Sequence, residues 1–315
     1  MSGAHEPVML DEIVEIFATV PQGTILDATL GGAGHAVAIL RRHERVRVMG
    51  VDRDPTAVAN ALALRDTLAP ADAARFSVHH ARFDHLESVM NDAGVTELSG
   101  SLFDLGVSSP QLDIAERGFS YRNDGPLDMR MDTTATLTAD DVVNRYDEHA
   151  LIDVLRRHAD ERFAPRIARA IVAARPIRGT AHLAEVVTAA IPAATRRTGG
   201  HPAKRTFQAV RIEVNAELDV LPTAISAAMR RTCVGGRIAV LSYHSGEDRI
   251  VKSEMLRAEF DTSAPNVATP YAHPSRTAPR VWRKVKVSPT PSDAEIARNP
   301  RAASARLRVM ERVAQ

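Results

Sequence analysis

The chain is poor in several things at once. Among 315 residues it has one cysteine, Cys233, and one tryptophan, and aromatic residues make up only 4%. A lone cysteine excludes an intrachain disulfide and a cysteine-rich zinc site, and no metal is expected. There is no apolar run near the roughly 18 residues a membrane span needs, nor a basic leader followed by an apolar stretch. No membrane association is expected, and the cytoplasm is the expected location. An excess of one charge is missing too: 40 Lys and Arg stand against 39 Asp and Glu, a formal net charge of +1. What remains, 44% hydrophobic and 25% charged, is ordinary for a globular protein of one large domain or one domain carrying another.

The stretch Asp27-Ala28-Thr29-Leu30-Gly31-Gly32-Ala33-Gly34-His35 carries the most information. Apolar Thr24-Ile25-Leu26 precedes it and a helix-like run, Ala36 to Arg42, follows. A second short strand, Arg47 to Val51, then delivers Asp52 at its carboxyl end. Strand, glycine turn, helix and a later acid is the pattern of a nucleotide-type site in an open parallel sheet, the acid accepting ribose hydroxyls. Read as G-x-G-x-x-G from Gly32, the third glycine is replaced by Val37; read from Gly31, the second is Ala33. That handicaps a pyrophosphate and favours S-adenosylmethionine (AdoMet), which has no phosphates and whose ammonium Asp27 is placed to meet. A dinucleotide site and a purely structural turn are the other readings.

Strands are expected near Thr24–Leu30, Arg47–Asp52, Phe76–His79 and Gly100–Leu105, with helices between, which signals a doubly wound α/β sheet of Rossmann type. Gly106 to Asp132 reads as a long, ordered functional loop. Helices follow over Ala139–Tyr146, Glu148–His158, Ala164–Ala174 and Ala181–Ala190. A long helix spans Thr206 to Thr232, a strand Arg237–Tyr243, and a terminal antiparallel hairpin Val285–Val287 and Leu307–Val313. The expected division is a discontinuous catalytic domain, 1–136 and 203–315, around an inserted helical domain, 137–202.

Charge is unevenly spread. From Arg162 to Thr206 nine basic residues face one acid, Glu185. Arg162, Arg166 and Arg169 fall at i, i+4 and i+7, one face of a helix, and Arg196 and Arg197 follow in a Gly-rich linker. A second basic stretch holds Arg276, Arg280, Arg283, Lys284 and Lys286. One such patch is a solvated face; two flanking a nucleotide-type fold point to a polyanion, with nucleic acid the obvious candidate.

Several longer stretches resemble one family: His5-Glu6-Pro7-Val8-Met9-Leu10, Asp52-Arg53-Asp54-Pro55, Asp104 through Asp113 (DLGVSSPQLD), and Glu116-Arg117-Gly118-Phe119-Ser120. Asp124 through Met131 (DGPLDMRM), Arg205 through Ile212 (RTFQAVRI) and Ser242-Tyr243-His244-Ser245 complete the set. The chain resembles, over nearly its whole length, the bacterial 16S rRNA cytosine-N4 methyltransferases, the RsmH or MraW family. Its turn departs from the family's G-x-G-G-H at Ala33. The resemblance implies a class I AdoMet-dependent methyltransferase sheet and AdoMet contacts from Ala33, Gly34, His35, Asp52, Phe83, Asp104 and Gln111. It implies a substrate in the decoding centre of the small ribosomal subunit, bound through 16S rRNA, with a homodimer open to the protein.

Cytosine N4 is a weak nucleophile, so acceptors for its amino protons are needed beside the methyl donor. Ser108-Ser109-Pro110-Gln111 stands where amino-methyltransferases often carry a Pro-Pro-aromatic turn. Asp104, Ser109, Asp128 and His244 are the catalytic candidates. Arg162, Arg166, Arg169, Arg196 and Arg197 are the RNA-binding ones. The alternatives are an AdoMet methyltransferase on another substrate, a non-catalytic RNA-binding protein, and an NAD-dependent oxidoreductase, which Val37 disfavours.

Overall fold

The computed structural model describes residues 7–193, 200–259 and 280–314. The chain divides into two compact units, Met1–Gly106 with Val220–Gln315, and Val107–Asp219.

The first unit is built on a seven-stranded sheet: β1 (Gly23–Asp27), β2 (Val46–Asp52), β3 (Phe76–His80), β4 (Leu98–Asp104), β5 (Thr232–Ser242), β6 (Trp282–Lys284) and β7 (Arg306–Arg312). Their order is β3-β2-β1-β4-β5-β7-β6. The first five pair in parallel, and β7 runs antiparallel to both β5 and β6. Parallel strands are covered on both faces and therefore read as nearly continuous apolar runs. β4 is buried from Leu98 to Phe103 and emerges only at Asp104.

Alternation along the strands sends neighbours to opposite faces. Ile25, Val48, Leu102 and Ala239 pack in one core with the helices Leu10–Ile16 and Gly34–Arg42. Leu26, Met49, Phe103 and Val240 pack in the other, with Leu86–Asp92, Glu217–Arg231 and Ser245–Glu259. The expected hairpin is present but shorter and earlier on its first side: Trp282–Lys284 forms the strand. Val285 adds one further bond, donating its N–H to the Val309 carbonyl.

The second unit gathers the helices Ala139–Arg145, Glu148–Ala159, Ala164–Ala173, Thr180–Ala190 and Lys204–Asn215 around its own core. It begins before 137 and ends after 202 because both flanks feed that core. Phe119, Leu127, Met129 and Met131 of the long loop and Phe207, Val210 and Val214 of the last helix are all buried in it. The loop is ordered by a short helix, Ser109–Asp113, and by side-chain ties. Asn215 accepts from Met131 N–H at 2.8 Å and donates to the Met129 carbonyl at 2.7 Å.

Those bonds also explain why Thr206 to Thr232 is not one helix. The helix Lys204–Asn215 stops where Asn215 turns to the loop, and Ala216 takes a left-handed φ of 50° before Glu217–Arg231 begins. The strand β5 then starts at Thr232, earlier than the expected Arg237.

Candidate functional site at the strand ends

Asp27, Asp52 and Asp104 end β1, β2 and β4, three adjacent parallel strands, and all three lie at their carboxyl ends. Ligands of open α/β sheets bind there. Between β1 and the helix Gly34–Arg42 the backbone folds tightly, with Gly31 at φ 49° and Ala33 at φ 58°. The left-handed form at Ala33 is unusual for a residue with a Cβ, and Ala33 is fully buried. At Gly34 an added Cβ would stand 2.4 Å from Pro7 Cγ, so any larger residue must displace Pro7.

Backbone amides organise the acids. Asp52 accepts from Gly31 N–H at 2.7 Å and from Asp54 N–H at 2.8 Å, which ties the turn to β2. Asp27 accepts from Thr29 N–H at 3.3 Å. Burial pushes the Asp27 carboxyl up to about 7, the Thr29 N–H opposes the rise, and the charges of Asp104 and Asp52 add to it. Burial likewise raises Asp52 against the two amides that favour its charged form. A convergence of carboxylates repels a pyrophosphate and suits a ligand carrying positive charge and a diol. AdoMet brings an ammonium, a sulfonium and a ribose, so this donor set fits it.

Two hydrogen bonds fix Asp104. Its N–H donates to Thr29 Oγ1 at 2.6 Å, and its Oδ1 accepts from the Tyr243 hydroxyl at 2.7 Å. His35 Nδ1 lies 3.7 Å from Oδ2. His35 Nε2 is 3.0 Å from the Val8 carbonyl, which only accepts, so that nitrogen carries the hydrogen. Phe83 is half-buried just past β3 and meets Phe103 edge-on, centroids 6.1 Å apart. His244, just past β5, is turned to buried Glu247: Nδ1 accepts from its N–H at 3.4 Å. Nε2 lies 3.2 Å from its Oε1, off the line of a hydrogen bond.

The remaining candidates belong to the second unit. Ser109 and Gln111 are buried in the short helix Ser109–Asp113, where Gln111 Oε1 accepts from Ser108 N–H at 3.0 Å as a cap. Asp128 is gripped at both oxygens by Arg130, at 2.9 and 2.8 Å. Burial works against its charge, yet the guanidinium holds the carboxyl below its ordinary range, which makes it a weak proton acceptor. Arg162, Arg166 and Arg169 are exposed. The helix starts at Ala164, however, so Arg162 lies outside it, over the Phe163 ring at 4.6 Å, and does not share the face of Arg166 and Arg169. Arg169 reaches Glu148 at 3.6 Å. Arg196, Arg197 and Arg276 lie outside the described residues. In the second basic stretch Arg280 pairs with Glu259 and Arg283 with Glu311.

Thr29, Tyr243 and Glu247 were not reached from the sequence as site residues. Tyr243 stands in the same four-residue motif as His244, and only the pairing of β4 with β5 reveals that the tyrosine, not the histidine, touches Asp104.

Sheet order, turn and acids together define an AdoMet-dependent methyltransferase of class I, with AdoMet as its cofactor. The model of the MraW methylase family matches residues 2–313, and the chain belongs to that family. A protein of Thermobifida fusca called ribosomal RNA small subunit methyltransferase H is 50% identical, over 98% of this chain and 93% of its own. A protein of the same name from Kocuria rhizophila is 49% identical, over 98% and 94%. Among solved structures, a putative rRNA methylase from Clostridium thermocellum aligns at 12% identity and TM-score 0.44, covering 98% of this chain and 100% of its own.

Proposed function

We propose that this enzyme transfers the methyl group of AdoMet to N4 of a cytidine of 16S rRNA in the decoding centre of the small ribosomal subunit, in the cytoplasm. The observation that carries the methyl-donor half is the set of three carboxylates at adjacent strand ends around a glycine turn. The rRNA half rests on relatives about half identical over almost the whole chain that bear the small-subunit rRNA name.

AdoMet supplies an electrophilic methyl on a positively charged sulfur. The residues of the chain do the rest. Asp52 accepts the ribose hydroxyls, Asp27 faces the ammonium, and the tight turn at Ala33 and Gly34, closed by the Ala33 N–H on the Leu30 carbonyl at 2.7 Å, lets the backbone approach the ligand. Phe83 offers an apolar face for the adenosine. Asp104 accepts an amino proton of the cytosine, turning the nitrogen lone pair toward the methyl and then taking the proton off. Ser109 contributes a further acceptor or donor at the base. Asp128, neutralised by Arg130, shapes the loop and leaves proton transfer to Asp104. His244, engaged by Glu247, supports the segment after β5.

A base buried in a duplex is out of reach, so the target must be unstacked, which is cheaper in unpaired RNA. The second unit is the RNA-recognition domain in this reading. Arg162, Arg166 and Arg169 meet phosphates, and Arg196 and Arg197 are assigned the same task.

The test is transfer from labelled AdoMet to small subunits purified from a strain lacking the enzyme, followed by nucleoside analysis. Label in N4-methylcytidine at one position is expected. Label in another nucleoside overturns the target, and no label with AdoMet bound overturns the reaction.

A further inference from the structure

The phenol of Tyr243 sits where β5 gives way to the helix Ser245–Glu259, and its hydroxyl donates to Asp104 Oδ1 at 2.7 Å from 139 residues away in sequence. The ring is fixed as well. Gly106, at φ 97°, brings its Cα so close that a Cβ there would stand 3.3 Å from Tyr243 Cδ2. The backbone of Tyr243 is clamped from the following helix, where Glu247 Oε2 accepts its N–H at 2.7 Å. Glu247 is itself buried, so this clamp is screened from water.

The groups facing this pair come from every side. His35 approaches Asp104 Oδ2 from the helix Gly34–Arg42, and Asp27 acts on Asp104 through its charge from β1. Glu247 and Glu295 bear on the phenol, Glu295 being the residue that accepts Met9 N–H at 2.7 Å. A proton on Asp104 would end its use as an acceptor.

We infer that Tyr243 is a positioning residue for methyl transfer: its hydroxyl holds Asp104 in one rotamer and in the charged form, and Glu247 holds Tyr243. This rests on the reading of Asp104 given above. Burial and the charge and hydrogen bond of Asp104 drive the phenol well above its ordinary titration range, so it remains a donor throughout the working pH range. A hydrogen bond to the charged form favours that form. Losing it shifts the balance at Asp104 toward the acid, and the loss is felt most at low pH.

The decisive variant is Tyr243→Phe, which keeps the ring against Gly106 and removes only the donor. Single-turnover methyl transfer at saturating AdoMet is compared with wild type from pH 5 to 9, and AdoMet binding is titrated over the same range. The acid limb of the variant is expected to move up by about one pH unit, roughly a tenfold slower rate on that limb. The two rates should converge at the alkaline end, where Asp104 is charged in both proteins, and AdoMet binding should stay within about tenfold of wild type. An unchanged profile, or a loss equal at every pH, overturns the inference, because packing alone acts equally at every pH.

Should the phenylalanine variant not fold, 3-fluorotyrosine at position 243 decides. The stronger donor must move the limb the opposite way, and an unmoved limb overturns the inference. If wild type itself places no label in N4-methylcytidine, the reading of the substrate has failed. The carbon-13 resonance of the Asp104 carboxyl, titrated in wild type and in Tyr243→Phe, then still decides the role of Tyr243: a curve displaced upward in the variant supports it and coincident curves overturn it.

Discussion

Replacing Asp27 with Asn should remove a loss of stability that sets in as pH rises. Asp27 is buried and its carboxyl is raised from 3.8 to about 7. An unfolded chain gives up that proton near 4 while the folded chain keeps it up to about 7. Between those values the unfolded state binds fewer protons, so stability contributed by the protonated form falls as pH rises and is gone above about 7. The full span corresponds to about 4 kcal/mol, of which about 2 kcal/mol is lost between pH 5 and pH 7. Asparagine keeps an acceptor for the Thr29 N–H and cannot ionise. Urea unfolding of AdoMet-free protein at pH 5 and pH 8 should therefore show the variant gaining on wild type by about 3 kcal/mol over that interval. AdoMet affinity should change the other way: in wild type it rises toward pH 8 as the acid ionises to meet the ammonium, and in the variant it is weak and flat. Parallel stability curves for the two proteins, with parallel AdoMet affinities, would refute the whole chain of reasoning.

Asp104→Asn should retain AdoMet binding within about tenfold yet lose transfer by roughly 100-fold to 10,000-fold, the usual range for a proton acceptor; wild-type turnover in a variant that binds AdoMet ends its assignment. Asn215→Ala removes a buried side chain bonded to both Met129 and Met131, and should destabilise the protein by about 2–4 kcal/mol in chemical unfolding. Converting Arg162, Arg166 and Arg169 together to Ala should weaken RNA binding and flatten the plot of log affinity against log salt by about 2; an unchanged slope excludes them as phosphate contacts. Gly34→Ala should weaken AdoMet binding, since the new Cβ must displace Pro7; isothermal titration reads it directly.

How far the sequence could be read depended on how local each determinant was. β1, β2 and β4 announce themselves as apolar runs ending in an acid, and the acids of β2 and β4 were legible as binding residues for that reason. Asp128 and Arg130 are two residues apart, yet the motif suggested a catalytic role for the aspartate where the geometry shows a pair. Arg162 fits the spacing of a helix face, but Phe163 precedes the first turn, and spacing alone does not say where a helix starts. The break at Ala216 was hidden because Asn215 is drawn to backbone groups more than 80 residues away. Tyr243 was hidden in the same way, since its partner lies across a strand pairing that no local pattern encodes.

β4 and β5 are hydrogen-bonded neighbours, yet the whole second unit is threaded between them in the chain. Their ladder joins Leu98–Asp104 to Thr232–Ser242 and so cannot form until everything between has been synthesised. An unfolded intervening segment is a long loop to close, and each halving of its effective length saves about 0.6 kcal/mol. A second unit that first compacts around its own core shortens that loop. During translation the sheet is thus left with an open edge at β4, apolar and unpaired, for as long as the ribosome takes to deliver β5. The order of birth along the chain makes the folding of the helical unit a step on the way to a complete cofactor site, because Tyr243 reaches Asp104 only when that edge is closed.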